Sequence, residues 1–125
     1  MKKLLISTLF FGLCSVQAYA DYIPQQKSVS AQAAQYSTMG IQDLIRAAKS
    51  GQAGAQFYLA TRYQAGKDIQ KDVKEAFTWF KAAADQGISS AQLNVGRMYA
   101  DGIGVSKSET SARQYFEKAA SHGDN

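Results

Sequence analysis

The apolar positions of residues 53–65 recur with the period of an α-helix. Ala55, Leu59 and Tyr63 stand four residues apart, so they fall on one helical face. Gly66 follows this stretch at the place where a left-handed C-cap often ends a helix. The pattern predicts an amphipathic helix that ends at Gly66 and buries the face that carries Leu59.

The next stretch, residues 72–86, carries a second helical pattern. Asp72 opens it with a glutamate three residues later, which is the spacing of a capping box. Trp79 and Phe80, together with alanines at helical spacing, are predicted to form its buried face, and Gly87 ends it. The two stretches together predict a pair of helices.

The helix pair recurs after 36 residues, because residues 55–89 align without a gap on residues 91–125. Residues 44–52 also match 80–88, so half a unit precedes the two full ones. A helix pair repeated at a fixed period is typical of a solenoid. The identical pairs are Ala55/Ala91, Gln56/Gln92, Tyr63/Tyr99, Gly66/Gly102, Lys71/Lys107, Ala76/Ala112, Phe80/Phe116, Ala83/Ala119, Ala84/Ala120 and Gly87/Gly123.

The sequence therefore predicts an all-α fold for residues 41–125. We interpret this region as a short α-solenoid of antiparallel helix pairs, with about two and a half repeats and about five helices. The half unit covers 41–54, and the full units cover 55–90 and 91–125.

Residues 1–20 have the three parts of a secretory signal peptide. Lys2 and Lys3 form a positive start, residues 4–13 are an apolar run, and a small-x-small cleavage signal ends at Ala20. The apolar run is too short to span a bilayer, which takes about 20 residues. We expect cleavage after Ala20 and export to the periplasm, with secretion from the cell as the alternative.

Residues 21–40 are polar, contain the only proline and show no sustained apolar period. They are predicted to form a flexible N-terminal arm, in which Thr38 is a candidate cap for the helix that follows. Without residues 1–20 the chain carries 12 Lys and Arg (14 minus Lys2 and Lys3) against 10 Asp and Glu. These charges are interspersed, which argues against nucleic-acid binding and, after signal cleavage, against membrane insertion.

The exported chain offers little for catalysis. Cys14 is expected to leave with the signal peptide, with its lipidation as a minor alternative because Leu13 precedes it where that processing requires a small residue. His122 is the only histidine, so a catalytic thiol and a metal cluster are both unexpected. The stretch GIGVSKS at 102–108 resembles a phosphate-binding loop, but Ser106 precedes Lys107 where that motif requires glycine. It is interpreted as the turn between two helices, and no catalytic, cofactor or metal residue is predicted.

The repeat resembles the Sel1-like repeat, a relative of the tetratricopeptide repeat with a slightly longer unit. The first unit departs from the family pattern at Ala60 and at Asp68, where glycines are expected, which predicts a weaker geometry for its loop. The positions that carry the resemblance are Ala55, Leu59, Tyr63, Gly66, Trp79, Phe80, Gly87, Ala91, Gly96, Tyr99, Gly102, Gly104, Tyr115, Phe116 and Gly123.

The resemblance implies a non-enzymatic protein-protein interaction module in the bacterial periplasm or cell envelope. Cysteine-rich exported members have been associated with penicillin binding or β-lactamase activity, but their paired cysteines are absent here. Two alternatives stay open: an immunity protein that neutralises an interbacterial toxin such as a phospholipase, and a cell-wall-associated enzyme or peptidoglycan-binding accessory.

The first helices of the units are expected to line a concave binding face. Tyr58 and Arg62 are predicted to point away from the core there, and Asn94 and Met98 continue the row one repeat later. The last helix, residues 108–122, is expected to leave one face uncapped, so that another protein or a second copy of the chain could cover it.

Overall fold

The computed structural model of the chain describes residues 33–123. Regular structure between these residues is entirely helical, which confirms the predicted all-α solenoid. A short helical segment at 33–38 precedes the five helices of the prediction, and the compact unit that contains those helices begins at Tyr36. The helices are α1 (Ile41–Lys49), α2 (Ala53–Ala65), α3 (Val73–Asp85), α4 (Ser89–Asp101) and α5 (Glu109–Gly123).

Hydrogen bonds between helix ends show that successive helices reverse direction. The Asp72 N–H, just before α3, donates to the Tyr63 carbonyl near the end of α2 at 3.0 Å. One repeat later, the Ser108 N–H donates to the Tyr99 carbonyl at 2.9 Å. The two units therefore close their helix pairs with the same backbone contact.

Asp72 is the N-cap of α3, as the sequence predicted. Its side chain accepts hydrogen bonds from the backbone N–H groups of Lys74 and Glu75, at 3.0 and 3.1 Å. The capping box is only half formed, because the Asp72 N–H is already committed to the carbonyl at the end of α2. The prediction for α1 was wrong: Gly40 rather than Thr38 occupies its N-cap, without a side-chain hydrogen bond.

The loops after α2 and α4 have the same backbone conformation. Gly66 and Gly102 end the two helices with φ angles of 69° and 68°, as expected for left-handed caps. Asp68 then takes φ 62°, close to the 72° of Gly104 in the second unit. The expected weakening of the first loop at Asp68 is therefore not observed, since the aspartate adopts the conformation that glycine adopts one repeat later.

The core consists of two clusters joined by aromatic residues. The smaller cluster lies between α1 and α2, and the larger one extends from α2 to α5. Tyr63 and Trp79 pack against both clusters, so they connect the half unit to the rest of the solenoid. The buried apolar residues are Leu44, Ala48, Ala55, Leu59, Ala60, Ala76, Phe80, Ala83, Ala84, Ala91, Val95, Met98, Ala112 and Tyr115.

Part of the segment predicted as a flexible arm belongs to the folded unit. The ring of Tyr36 lies against Gly54 so closely that a β-carbon there would be 2.6 Å from Tyr36 Cε2. Met39 packs against the cluster between α1 and α2. Residues 21–32 of the arm, and the predicted signal peptide, lie outside the described residues.

Candidate functional site

The four residues predicted to form a binding row do not form an exposed surface. Arg62 and Met98 are buried, with exposed fractions of 7% and 2%. Tyr58 and Asn94 are half-buried. The prediction that Arg62 and Met98 contact a partner was wrong, because their faces of α2 and α4 are covered by the chain itself.

Arg62 holds two backbone segments together. Its Nη1 donates to the Asp68 carboxylate at 2.9 Å, in the loop after α2. Its Nη2 donates to the carbonyls of Ser37 and Met39, at 3.0 and 3.1 Å, just before α1. The guanidinium therefore has a structural role. At the equivalent position, Met98 packs into the larger core cluster.

Two buried glutamines also connect neighbouring repeats, and only their recurrence after 36 residues indicated that they have a shared role. Gln56 Nε2 donates to the Ala48 carbonyl at 3.2 Å, and Gln92 Nε2 donates to the Ala84 carbonyl at the same distance. The Oε1 of Gln56 accepts a further bond from Gln86 at 2.8 Å. The matching contacts of Gln56 and Gln92 are structural, although the buried Oε1 of Gln92 accepts no hydrogen bond within residues 33–123.

An open groove of about 600 Å³ lies between α1 and α3, above the Leu59 face of α2. Its apolar surface is contributed by three helices, and its charged groups stand along the walls. None of the four residues of the predicted row lines it. The residues that line this groove are Ile45, Lys49, Leu59, Tyr63, Ile69, Gln70, Lys71, Asp72, Glu75 and Trp79.

One end of the open groove carries Lys49, and the other carries two carboxylates, Asp72 and Glu75, together with Lys71. Lys49 lies in the last turn of α1, whereas Glu75 lies in the first turn of α3. Since two chain reversals separate α1 from α3, the two helices run in the same direction, and these residues stand at opposite ends. Burial, with smaller contributions from the nearby carboxylates of Glu75 and Asp72, raises the pKa of Tyr63, which keeps its phenol protonated.

The corresponding place in the second repeat is bridged by the chain's own side chains. Asp85 replaces Lys49 there, and its carboxylate accepts from Lys81 Nζ at 3.1 Å and from the Tyr115 hydroxyl at 3.3 Å. Because Asp85 belongs to α3 and Tyr115 to α5, this network joins the two walls. The hydrogen bond to Asp85 is the main cause that raises the pKa of Lys81.

Aromatic packing further fills the second repeat at this place. The ring of Tyr99 stacks on Tyr115 with centroids 5.9 Å apart, and Phe77 meets Tyr99 edge-on at 5.2 Å. Lys118 Nζ lies 4.8 Å from the centroid of Tyr115. The first repeat differs because Trp79 and Lys49 make no hydrogen bond or ion pair across the groove among residues 33–123.

Residues 33–123 contain neither a metal-binding cluster nor a membrane-spanning helix. This part of the chain contains no group of three or more His, Cys, Asp or Glu that could hold a metal ion. None of its helices is long and apolar enough to cross a membrane. The open groove is one candidate site within these residues, and a second open pocket of about 510 Å³ lies along α5, where Phe116 contributes to its lining.

The stacked helix pairs, with matching loops, caps and glutamine bonds, define an α-solenoid repeat protein. The Sel1 repeat pattern matches residues 53–88 and residues 89–124, which together make up more than half of the chain. The chain therefore belongs to the Sel1-repeat family. Proteins of this family are generally protein-interaction modules.

Individual relatives agree with this assignment. A Sel1 repeat protein from Oxalobacter formigenes has a TM-score of 0.65 and 41% identity, over 66% of this chain and 62% of that one. Helicobacter pylori cysteine rich protein B has a TM-score of 0.64 and 29% identity over the same shares. The chitin synthase regulator SKT5 of Saccharomyces cerevisiae is 32% identical over 92 residues, which are 72% of this chain but 13% of that protein.

Proposed function

We propose that this protein is a non-enzymatic interaction module of the bacterial cell envelope, and that its protein partner occupies the open groove of the first repeat. The observation that supports the groove as the binding site is that its walls are unbridged in the first repeat and bridged in the second. The walls are bridged by Asp85 and Tyr115 in the second repeat, whereas Lys49 and Trp79 leave the first repeat open. A groove of this size accommodates side chains of a protein segment.

The family supports a binding role. Solenoids of stacked helix pairs present extended surfaces rather than enclosed cavities, which suits the recognition of another protein. SKT5 is a chitin synthase regulator. Because the chain spans only 13% of that protein, the likeness supports a part in a larger assembly and transfers no substrate. Periplasmic location rests on the signal peptide pattern of residues 1–20.

Closing the groove should abolish binding without unfolding the protein. The variant Ile45→Lys/Lys49→Asp/Trp79→Tyr gives the first repeat the three side chains that bridge the second one at Lys81, Asp85 and Tyr115. Each substitution therefore introduces a residue that the same repeat position already accommodates. The triple variant should keep a wild-type circular dichroism spectrum.

The partner can be sought by pull-down from envelope extract with the wild type, the closed-groove triple variant and a matched control. Thr61→Arg serves as that control, since it copies Arg97 of the second repeat at an exposed position outside the groove. We expect the control to retain the partner and the triple variant to lose it. Equal recovery by all three proteins would rule out the groove as the binding site.

A further inference from the structure

We propose that the open groove recognises a protein segment in which an acidic side chain stands next to an apolar one. This inference rests on the proposed function and adds the chemistry of the partner. The expected occupant is an acidic segment of another protein, because the first repeat lacks the carboxylate that Asp85 supplies in the second repeat.

The second repeat provides the template. At its bridged position, the Asp85 carboxylate lies between the Lys81 ammonium and the Tyr115 hydroxyl, and it accepts a hydrogen bond from each. Tyr115 also covers part of the larger core cluster. This place in the repeat is therefore built to hold a carboxylate beside an aromatic ring, at the edge of the core.

In the first repeat the carboxylate is missing, and the position of the Lys81 donor holds Ile45. Lys49 occupies the position of Asp85, and Trp79 occupies the position of Tyr115, so both groups are hydrogen-bond donors. Lys49 makes no ion pair within residues 33–123. A carboxylate that enters from a partner would accept a charge-assisted hydrogen bond from Lys49, beside the ring of Trp79, so that the charged pair forms between partner and groove rather than within the chain.

The apolar side chain of the partner segment is inferred from the residue that replaces Lys81 in the first repeat. Ile45 stands there, one helical turn before Lys49, and it lines the groove together with Leu59 and Trp79. An aliphatic or aromatic side chain of the partner would bury apolar area against these residues. The acidic side chain next to it in the partner would then reach Lys49.

The opposite end of the groove fixes the direction of the segment. The Asp72 carboxylate accepts hydrogen bonds from two backbone N–H groups, and Glu75 adds a second carboxylate at this end. Lys71 also lines the groove beside Asp72 and offsets one of the two carboxylates, so this end keeps one net negative charge, whereas Lys49 attracts an acidic group at the other end. The partner segment should therefore bind with its acidic residue over the C-terminal turn of α1.

The test uses phage-displayed random linear dodecapeptides, selected on the purified wild-type protein. We expect the selected peptides to be enriched in Asp or Glu directly beside Leu, Ile, Phe or Trp. One such peptide and its twin with Asn or Gln in place of the acid are then compared by fluorescence anisotropy. Loss of the charge should weaken binding to the wild type by about tenfold, the difference that one charge-assisted contact produces.

The same peptides are measured with Lys49→Gln and with the matched control Arg46→Gln, which removes a charge from an exposed residue of α1 that does not line the groove. Lys49→Gln should weaken the acidic peptide about tenfold and leave its neutral twin unchanged, whereas Arg46→Gln should alter neither. Selection without acidic residues, failure to select any peptide, or equal effects of the two variants would overturn the inference. A partner lost by the closed-groove variant but retained by Lys49→Gln would overturn this inference alone and leave the proposed function standing.

Discussion

The guanidinium of Arg62 lies 2.9 Å from the carboxylate of Asp68, and this pair holds the only non-glycine residue with positive φ within residues 33–123. The same guanidinium binds the Ser37 and Met39 carbonyls before α1. The first loop thereby keeps the conformation of the second without glycine at this position.

Removing Arg62 should destabilise the protein. Arg62→Ala breaks the bond to Asp68 and leaves two backbone carbonyls without their donor, so we expect a loss of about 2 kcal/mol in the free energy of unfolding. Urea denaturation followed by circular dichroism measures the change. The control Arg97→Ala removes an exposed arginine and should change stability by less than about 0.5 kcal/mol. Equal effects at both positions would contradict the structural role of Arg62.

Gly96 should tolerate no side chain. A β-carbon there would lie 2.6 Å from Cε1 of Phe116, whose ring packs directly on α4. Gly96→Ala should therefore cost about 1–3 kcal/mol by overpacking, despite the better helix propensity of alanine. Thermal unfolding should give a lower midpoint for this variant. Gly40→Ala serves as the control, since nothing lies within 4 Å of its added carbon and its φ is −62°. A higher unfolding midpoint for Gly96→Ala than for the wild type would contradict the close contact with Phe116.

Stability should decline in alkaline solution. Burial is the main cause that raises the pKa of Tyr115, and the hydrogen bond to Asp85 is the main cause that raises the pKa of Lys81. The folded protein therefore holds both protons more tightly than the unfolded chain, so their contribution is complete below about pH 10 and is lost as the pH rises further.

Urea midpoints between pH 8 and pH 11 test this pH dependence. Tyr115→Phe removes one of the two groups, so its midpoint should fall less steeply above about pH 10 than that of the wild type. Tyr58→Phe provides a matched control outside the Lys81 and Asp85 network, and it should keep the wild-type slope. A wild-type midpoint that stays constant up to pH 11 would contradict the prediction.

Much of the fold could be predicted from local signals. The Asp72 cap, the turn at Gly66 and the repeat of Tyr63 at Tyr99 each report short-range backbone geometry, and the 36-residue period makes each signal appear twice. The candidate site was not predicted, because its residues come from α1, α2, α3 and a loop. The groove is open because no hydrogen bond joins Lys49 to Trp79 within residues 33–123. At the equivalent positions of the second repeat, Tyr115 donates a hydrogen bond to Asp85.

The helices, their pairing and the family follow from the amino-acid sequence, since apolar period, capping residues and repeat length act over one or two helices. Which polar side chains are buried depends instead on contacts between segments that are distant in the sequence. Arg62 is enclosed because Ser37 and Met39 fold back onto α2 and supply carbonyl acceptors. The groove likewise exists because two walls 30 residues apart, at Lys49 and Trp79, stay unbridged, whereas Asp85 and Tyr115, also 30 residues apart, join theirs.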